Sequence, residues 1–365
     1  MSTKKEIRMG VIGLGNVASG LLQGIEYYRN DPTNWQGLMH KEICGYGVGS
    51  VKLTSAFDIS SEKVGKRIDK ALYSRPNLVN WLKIPKSNIS VKQAPRLDSV
   101  GKYVENSIKP VKERPIDALE KEIISEINSS GTTVLVNLLP VGSQITTEFW
   151  AKIALKTKCA FINSIPVFIA SNKNWAMRFK ESKVALVGDD MKGIMGSTIV
   201  HRVLTRLAQA RGTTLVDTYQ INIGGNTDFK NMLERERLIS KKISKTDSVQ
   251  SQLNSPLKQN SIHIGPSDFV EFLGNTKIAY MYMHGLMWGG RPYEIDIKLE
   301  VDDKANAAGI LIDAIRLAKV AQDRKIGGPL IGPSAYLMKH PPTQYSDDVA
   351  LEKLEAFIDG KSNDK

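Results

Sequence analysis

The stretch IRMGVIGLGNVASG, residues 7–20, constrains the fold more than any other part of the chain. A short apolar run ends in Gly13, Gly15 and Ala18 follow in a GxGxxA spacing, and residues 16–29 then carry helical periodicity. Small residues at these places let a pyrophosphate approach the backbone, and they aim a helix amino terminus at its negative charge. Strand, glycine turn and helix in this order predict the opening of a dinucleotide-type α/β domain.

The alternation continues. Residues 51–59 (VKLTSAFDI) read as a second strand, and Ser60 is placed to cap a helix over 61–72. Residues 73–114 are polar and Pro-punctuated and read as an excursion. A helix over 117–128, a doubly buried strand over 132–139, a helix over 144–156 and strands over 159–163 and 183–187 predict a parallel, doubly wound sheet. Beyond Asp190 the pattern changes. A helix over 197–211 precedes longer alternating runs at 214–223, 277–284 and 293–301, which read as an antiparallel sheet with one covered face. Helices over 305–322 and 347–359 return the chain to the first domain.

At 365 residues the chain has room for about two domains at ~150 residues each. Its 41% hydrophobic and 24% charged content excludes global disorder, and no apolar run nears the ~20 residues of a membrane span. The first residues carry no secretory pattern. Cys44 and Cys159 form neither a disulfide framework nor a metal knuckle, so a reducing cytoplasm is expected. Fifty basic against 38 acidic residues give +12, which favours an anionic partner: nucleic acid, a membrane surface or a phosphorylated small molecule. The five histidines show no zinc spacing; His201, on an amphipathic helix, reads as a core or interface residue. Walker A, GxSxG and aromatic RNA-binding patterns are missing as well.

An acid about 20 residues after the glycines would hold a ribose, and none stands there convincingly. Asp58, ending the second strand, takes that role if residues 31–49 are an insertion. The alternative is a capping group shared with Ser60. An acid here without an adjacent Arg favours NAD over its 2′-phosphorylated relative. NLLPVGS (137–143) and NSIP (163–166) end two further strands and are candidate cofactor walls. In VGDDMK (187–192), Asp189 or Asp190 could hold the nicotinamide ribose or a catalytic water, or cap a helix.

The densest chemistry is RLISKKISKT, 237–246, where Lys241 and Lys245 at i and i+4 share one helical face. Like charges so placed destabilise a helix unless an anion lies between them. An ammonium at ~4 Å from a unit negative charge gains roughly 4 kcal/mol at an effective dielectric of ~20, before desolvation. Mutual repulsion also lowers lysine pKa values towards neutrality, where proton transfer becomes available. The alternative is a solvated basic loop.

Taken together, GLGNVASG, NLLPVGS, INSIPVFIAS, VGDDMKG, INIGGNTDFKNM, ERLISKKISKT, GNTKIAYM and LEVDDKANAAGILIDAIR resemble inositol-3-phosphate synthases, in their shorter prokaryotic form, in order from about Arg8 to Pro342. The resemblance implies a Rossmann domain built from residues 1–195 and 306–365 around an α+β catalytic and tetramerisation domain, 196–305. It implies tightly held NAD and conversion of D-glucose 6-phosphate to 1D-myo-inositol 3-phosphate. In that reaction C5 is oxidised, C6 loses a proton, the enolate closes on the C1 aldehyde, and the hydride returns to the ketone. Lys241, Lys245, Lys277 and Lys339 match the family's lysines. Lys241 and Lys339 are implied for proton transfer and oxyanion stabilisation, Lys245 and Lys277 for phosphate or carbonyl oxygens. Asp190, Asn226, Asp228 and Asp303 match positions holding sugar or nicotinamide, while Gly13, Gly15, Asn16, Val17, Asp58, Ser143 and Ser164 match the cofactor wall. A homotetramer without nucleic-acid or membrane partners is implied. Metal ligands are left unassigned, with a divalent or monovalent cation at the phosphate as one option. VGDDMKGIMGST departs from the family's SGQT continuation, and the AYLMK match carrying Lys339 lies in its most variable segment.

Two other classes compete. A net dehydrogenase on a related scaffold would release NADH, and a nucleic-acid or membrane binder would display its lysines as an exposed stripe rather than around a pocket.

Overall fold

The computed structural model describes residues 5–361; residues 1–4 and 362–365, the ends of the expected split domain, lie outside the described residues. Strand β1 (Ile7–Ile12) enters helix α1 (Asn16–Asn30) through the glycine turn. There follow β2 (Val51–Asp58), β3 (Lys92–Gln93), α2 (Ile116–Ser129), β4 (Val134–Asn137), α3 (Gln144–Thr157), β5 (Ala160–Asn163), α4 (Lys173–Glu181) and β6 (Ala185–Val187). The chain then forms α5 (Ser197–Ala210), β7 (Thr214–Gly224), α6 (Thr227–Asn231), α7 (Ile239–Gln250), β8 (Ile262–Phe269), β9 (Thr276–Leu286) and β10 (Pro292–Asp302). It returns through α8 (Asp303–Asp323), β11 (Gly328–Pro329), α9 (Ile331–Leu337) and α10 (Asp347–Ile358).

The larger sheet has the order β11-β6-β5-β4-β1-β2-β3 with every pairing parallel. Strand order reverses between β1 and β4, and in such sheets the ligand crevice opens at that point, beyond the carboxyl ends of the strands. All residues of β4 and β5 are buried, as a strand covered on both faces requires. On one side Leu21 and Ile25 of α1 pack with Leu311 and Ile315 of α8; on the other Ile123, Trp150 and Phe179 pack with Phe161. Each fully buried aromatic or branched side chain contributes about 1.5–3 kcal/mol relative to exposure.

Three sequence expectations change. The helix over 61–72 is a series of turns ending in the single helical turn Ile68–Ala71. Gly65 adopts φ 81°, and the backbone of residues 65 and 66 bonds to Val91 instead of continuing a helix. The second sheet, β8-β7-β9-β10, is mixed: β8 runs parallel to β7 because α6 and α7 provide the crossover. Its sequence, broken by Gly265 and Pro266 with a register shift, hid the strand. Helix α4 was also unforeseen; the Asn172 side chain caps it, accepting from Asn174 N at 3.0 Å and Trp175 N at 3.2 Å. None of the described helices is long and apolar enough to cross a membrane.

Candidate active site

Two adjoining cavities occupy the crevice. The first, about 100 Å³, lies over the glycine turn. Gly13 has φ 86°, and a Cβ there would stand 2.9 Å from the Leu138 carbonyl oxygen, so the turn admits only glycine. Gly15 opens α1 without a side-chain cap and faces open space, leaving the helix's first N–H groups free of a protein cap at the cavity. Asp58 also lines this cavity. One of its oxygens accepts from Leu14 N at 2.7 Å, the other from Ile59 N and Ser60 N at 2.8 Å each. The carboxylate therefore braces the turn as well as facing the cavity. Lys63 is buried beside it, with Nζ 3.9 Å from Asp58 and donating to Leu14 O at 2.8 Å. Asn16 and Val17 line the same space; the Asn16 side chain ties α1 to Leu78 N at 2.6 Å and Thr227 Oγ1 at 3.3 Å.

The second cavity, about 140 Å³, shares Val17, Leu138, Leu139 and Asp228 with the first. Helix α7 brings Lys241 and Lys245 to it on one face, as the i, i+4 spacing requires. Lys277 arrives at the start of β9, and Asp303 at the start of α8. Lys339 comes from far along the chain. Its backbone N–H bonds to Asp190 O at 2.7 Å, in a short pairing of residues 189–191 with 338–340. Its Nζ then donates to Asp190 Oδ1 at 3.1 Å, while Ser244 Oγ donates to Asp190 Oδ2 at 2.6 Å. Lys277 Nζ is 3.7 Å from Asp303 Oδ1. Ser164 Oγ is buried at the wall and has no hydrogen-bond partner among the described residues.

Burial and crowding of like charge set the electrostatics. Burial pushes Lys241 down to about 8, with Asp190 opposing and Lys339 reinforcing the shift. Lys245 falls well below its ordinary value through burial and the neighbouring Lys241, Lys277 and Lys339, and burial also lowers Lys277. For Asp190 burial works against ionisation, but the ammonium groups of Lys339 and Lys241 outweigh it and hold the carboxyl below its usual range. Six lysines face three aspartates on the wall, an arrangement suited to a multiply charged anion.

Three expected contacts lie elsewhere. Asp189 is fully buried and turned away from both cavities: it accepts from Asn163, Ile169, Ala170 and Ser171, which fixes the loop beneath the wall. Ser143 is buried, closing its own turn by donating to Pro140 O at 2.6 Å. Asn226 caps α6 through Asp228 N and donates to Asp303 Oδ2 at 3.3 Å, so it positions a wall carboxylate from behind. Three lysines were missed: Lys63, Lys192 and Lys304. Lys192 Nζ donates to Ala335 O at 2.9 Å and to Asp347 at 3.2 Å, and burial pushes it down to about 7. Lys304 sits between Asp228 and Asp303. The only signal for Lys304 was its place next to Asp303 in LEVDDK. His201 is a core residue, bonded to Thr218 Oγ1 at 2.8 Å and pushed by burial down to about 4.

The model of the myo-inositol-1-phosphate synthase family matches residues 196–304, the segment that holds the second sheet. The chain is 45% identical over 362 residues to the inositol-3-phosphate synthase of Mycolicibacterium smegmatis, covering 97% of this chain and 98% of that one. It is 46% identical to the enzyme of that name from Mycobacterium tuberculosis, covering 97% and 96%. In fold it is similar to the crystal structure of a myo-inositol-1-phosphate synthase-related protein from Thermotoga maritima, with a TM-score of 0.80, 23% identity and coverage of 97% and 98%. Near-complete coverage at this identity leaves one conclusion: the chain belongs to the inositol-3-phosphate synthase family.

Proposed function

We propose that the lysine-lined cavity converts D-glucose 6-phosphate to 1D-myo-inositol 3-phosphate with NAD held in the adjoining glycine-lined cavity. The observation that carries this reading is the convergence of Lys241, Lys245, Lys277 and Lys339 on one cavity that shares part of its wall, Val17, Leu138, Leu139 and Asp228, with the glycine-lined cavity. A nucleic-acid or membrane binder would need these lysines on an open surface. The residues around the turn fit NAD: Gly13 and Gly15 clear the approach, the start of α1 faces the phosphates, Asp58 reaches a ribose and Ser164 Oγ awaits a polar group. When bound, NAD supplies the acceptor and later the donor of a hydride.

The chain's own groups do the rest. With its pKa near 8, Lys241 holds a fraction of neutral amine at neutral pH, which can take the C6 proton next to a C5 ketone. Lys339, fixed by Asp190, is placed to stabilise the developing oxyanion. Lys245 and Lys277 take phosphate or carbonyl oxygens; burial first and neighbouring lysines second lower their pKa values, and a bound anion opposes that shift, so substrate binding draws protons onto them. Asp228 and Asp303 orient the ammonium groups. Residues 1–195 and 306–365 form the cofactor domain in this reading, and 196–305 the catalytic and tetramerisation domain; the second sheet lies wholly within the latter. Ile221 and Tyr280, paired across two strands of that sheet and exposed, support a homotetramer through its open face.

Incubation with D-glucose 6-phosphate and substoichiometric NAD, followed by phosphorus NMR and NADH absorbance, tests the reading. Inositol phosphate without net NADH is expected. Stoichiometric NADH without inositol phosphate would make the protein a dehydrogenase instead.

A further inference from the structure

We propose that the Lys304 ammonium is the resident cation of this site, neutralising Asp228 and Asp303 in place of a metal ion, so that turnover needs no added metal. Lys304 Nζ forms a close ion pair with Asp228 and stands 2.9 Å from Asp303 Oδ2, with its side chain 2% exposed. These are the two wall carboxylates that could otherwise share a metal, and the ammonium occupies the position between them.

The location makes the placement costly without those partners. Lys304 is the second residue of the 21-residue helix α8, where the helix dipole disfavours a positive charge. Asp302 caps the helix by accepting from Lys304 N, so the Asp228 and Asp303 carboxylates remain for the ammonium. Gly20 admits the first turn of α8 against α1: a Cβ there would stand 3.4 Å from both Cβ and O of Lys304. Burial opposes the charge on Lys304, yet the two carboxylates raise its pKa above the ordinary lysine value and Asp303 is lowered in turn. A hard dication needs about six oxygen ligands, several of them anionic. Here the wall already carries six lysines against three aspartates, and among the described residues no group of three His, Cys, Asp or Glu side chains is arranged to hold a metal. The donor set therefore does not fit a metal ion while Lys304 is present.

The test uses Mn2+ as a probe, read by electron paramagnetic resonance without substrate, alongside turnover in EDTA. The turnover arm rests on the synthase reading and the Mn2+ arm does not, so the two can fail separately. The full-length protein is expected to bind no stoichiometric Mn2+ and to keep its rate within twofold in EDTA. Lys304→Met is expected to gain one Mn2+ per chain and to be stimulated by it at least tenfold, whereas Lys304→Arg gains no site. Binding of one Mn2+ per unaltered chain, lost in Asp303→Asn, would overturn the proposal, as would an EDTA-abolished rate restored by Mn2+. So would a folded Lys304→Met that gains no site. Should Lys304→Met fail to fold, the titration of the unaltered chain decides.

Discussion

Lys241 shows how one side chain acquires a working pKa: removal from water disfavours the ammonium more than the neighbouring Asp190 favours it, and Lys339 adds a smaller repulsion. A base must be deprotonated to act, so kcat/KM should rise with pH and level off near about 8; a profile flat from pH 6 to 9 would contradict the assignment. Lys241→Ala should retain NAD binding and lose about 10²–10⁴ in kcat, the range of general acid–base catalysis. Calorimetry with NAD and steady-state rates check both halves. The spacing of Lys241 and Lys245 was legible because a helix puts i and i+4 on one face. The choice between Asp189 and Asp190 was not. Adjacent side chains leave the backbone in opposing directions, and only the loop at 163–171 decides that Asp189 is used up as a brace. Lys63 and Lys304 were hidden for a similar reason, since their partners lie far away in sequence or were assigned alone.

At the scale of elements, the glycine turn was legible because its spacing answers a steric demand that no other residue meets. Gly13→Ala should cost about 1–3 kcal/mol of stability and weaken NAD binding, since φ 86° is strained for Ala and its methyl would press on Leu138 O. Denaturant unfolding and NAD titration measure this. The insertion at residues 31–49 offers a second test. His40 lies between Asp313 and Glu355, with Nε2 at 3.0 Å from Glu355, and tethers the insertion after α1 to α8 and α10. The Asp313 hydrogen bond raises the His40 pKa. Stabilisation from a raised pKa is fully present below the unfolded value of about 6.5 and is lost as pH rises through the folded value. His40→Gln should therefore be destabilised most at pH 6, by about 1–3 kcal/mol, with the gap narrowing at higher pH. A gap that widens with pH would refute the tether. The expected helix over 61–72 and the missed β8 share a cause: backbone partners distant in sequence override local pattern.

For the whole molecule, the alternation of strands and helices foretold the parallel sheet, while the joint between the two sheets was invisible. Arg202 of α5 is fully buried and bonds to Asp347 at 2.9 Å, to Ser251 Oγ at 3.0 Å and to Tyr345 O at 2.8 Å, joining the second sheet's covering helix to α10. Lys192 meets the same Asp347 from the cavity side. Arg202→Met should cost about 3–5 kcal/mol by removing one cation from a buried ion pair and leaving Lys192 as the remaining partner of Asp347, which denaturant melts would show. Stability within 1 kcal/mol of the parent would mean that the clamp is incidental. The same joint sets the lysine-lined cavity beside the glycine-lined one, and the central claim is that a hydride leaves and returns where the two cavities adjoin. The direct measurement supplies D-glucose 6-phosphate deuterated at C5 with substoichiometric unlabelled NAD, then reads the label by mass spectrometry. Retention of deuterium in the inositol phosphate, with no deuterated NADH accumulating, is the expected result. Accumulation of deuterated NADH, or loss of the label to water, would contradict the account.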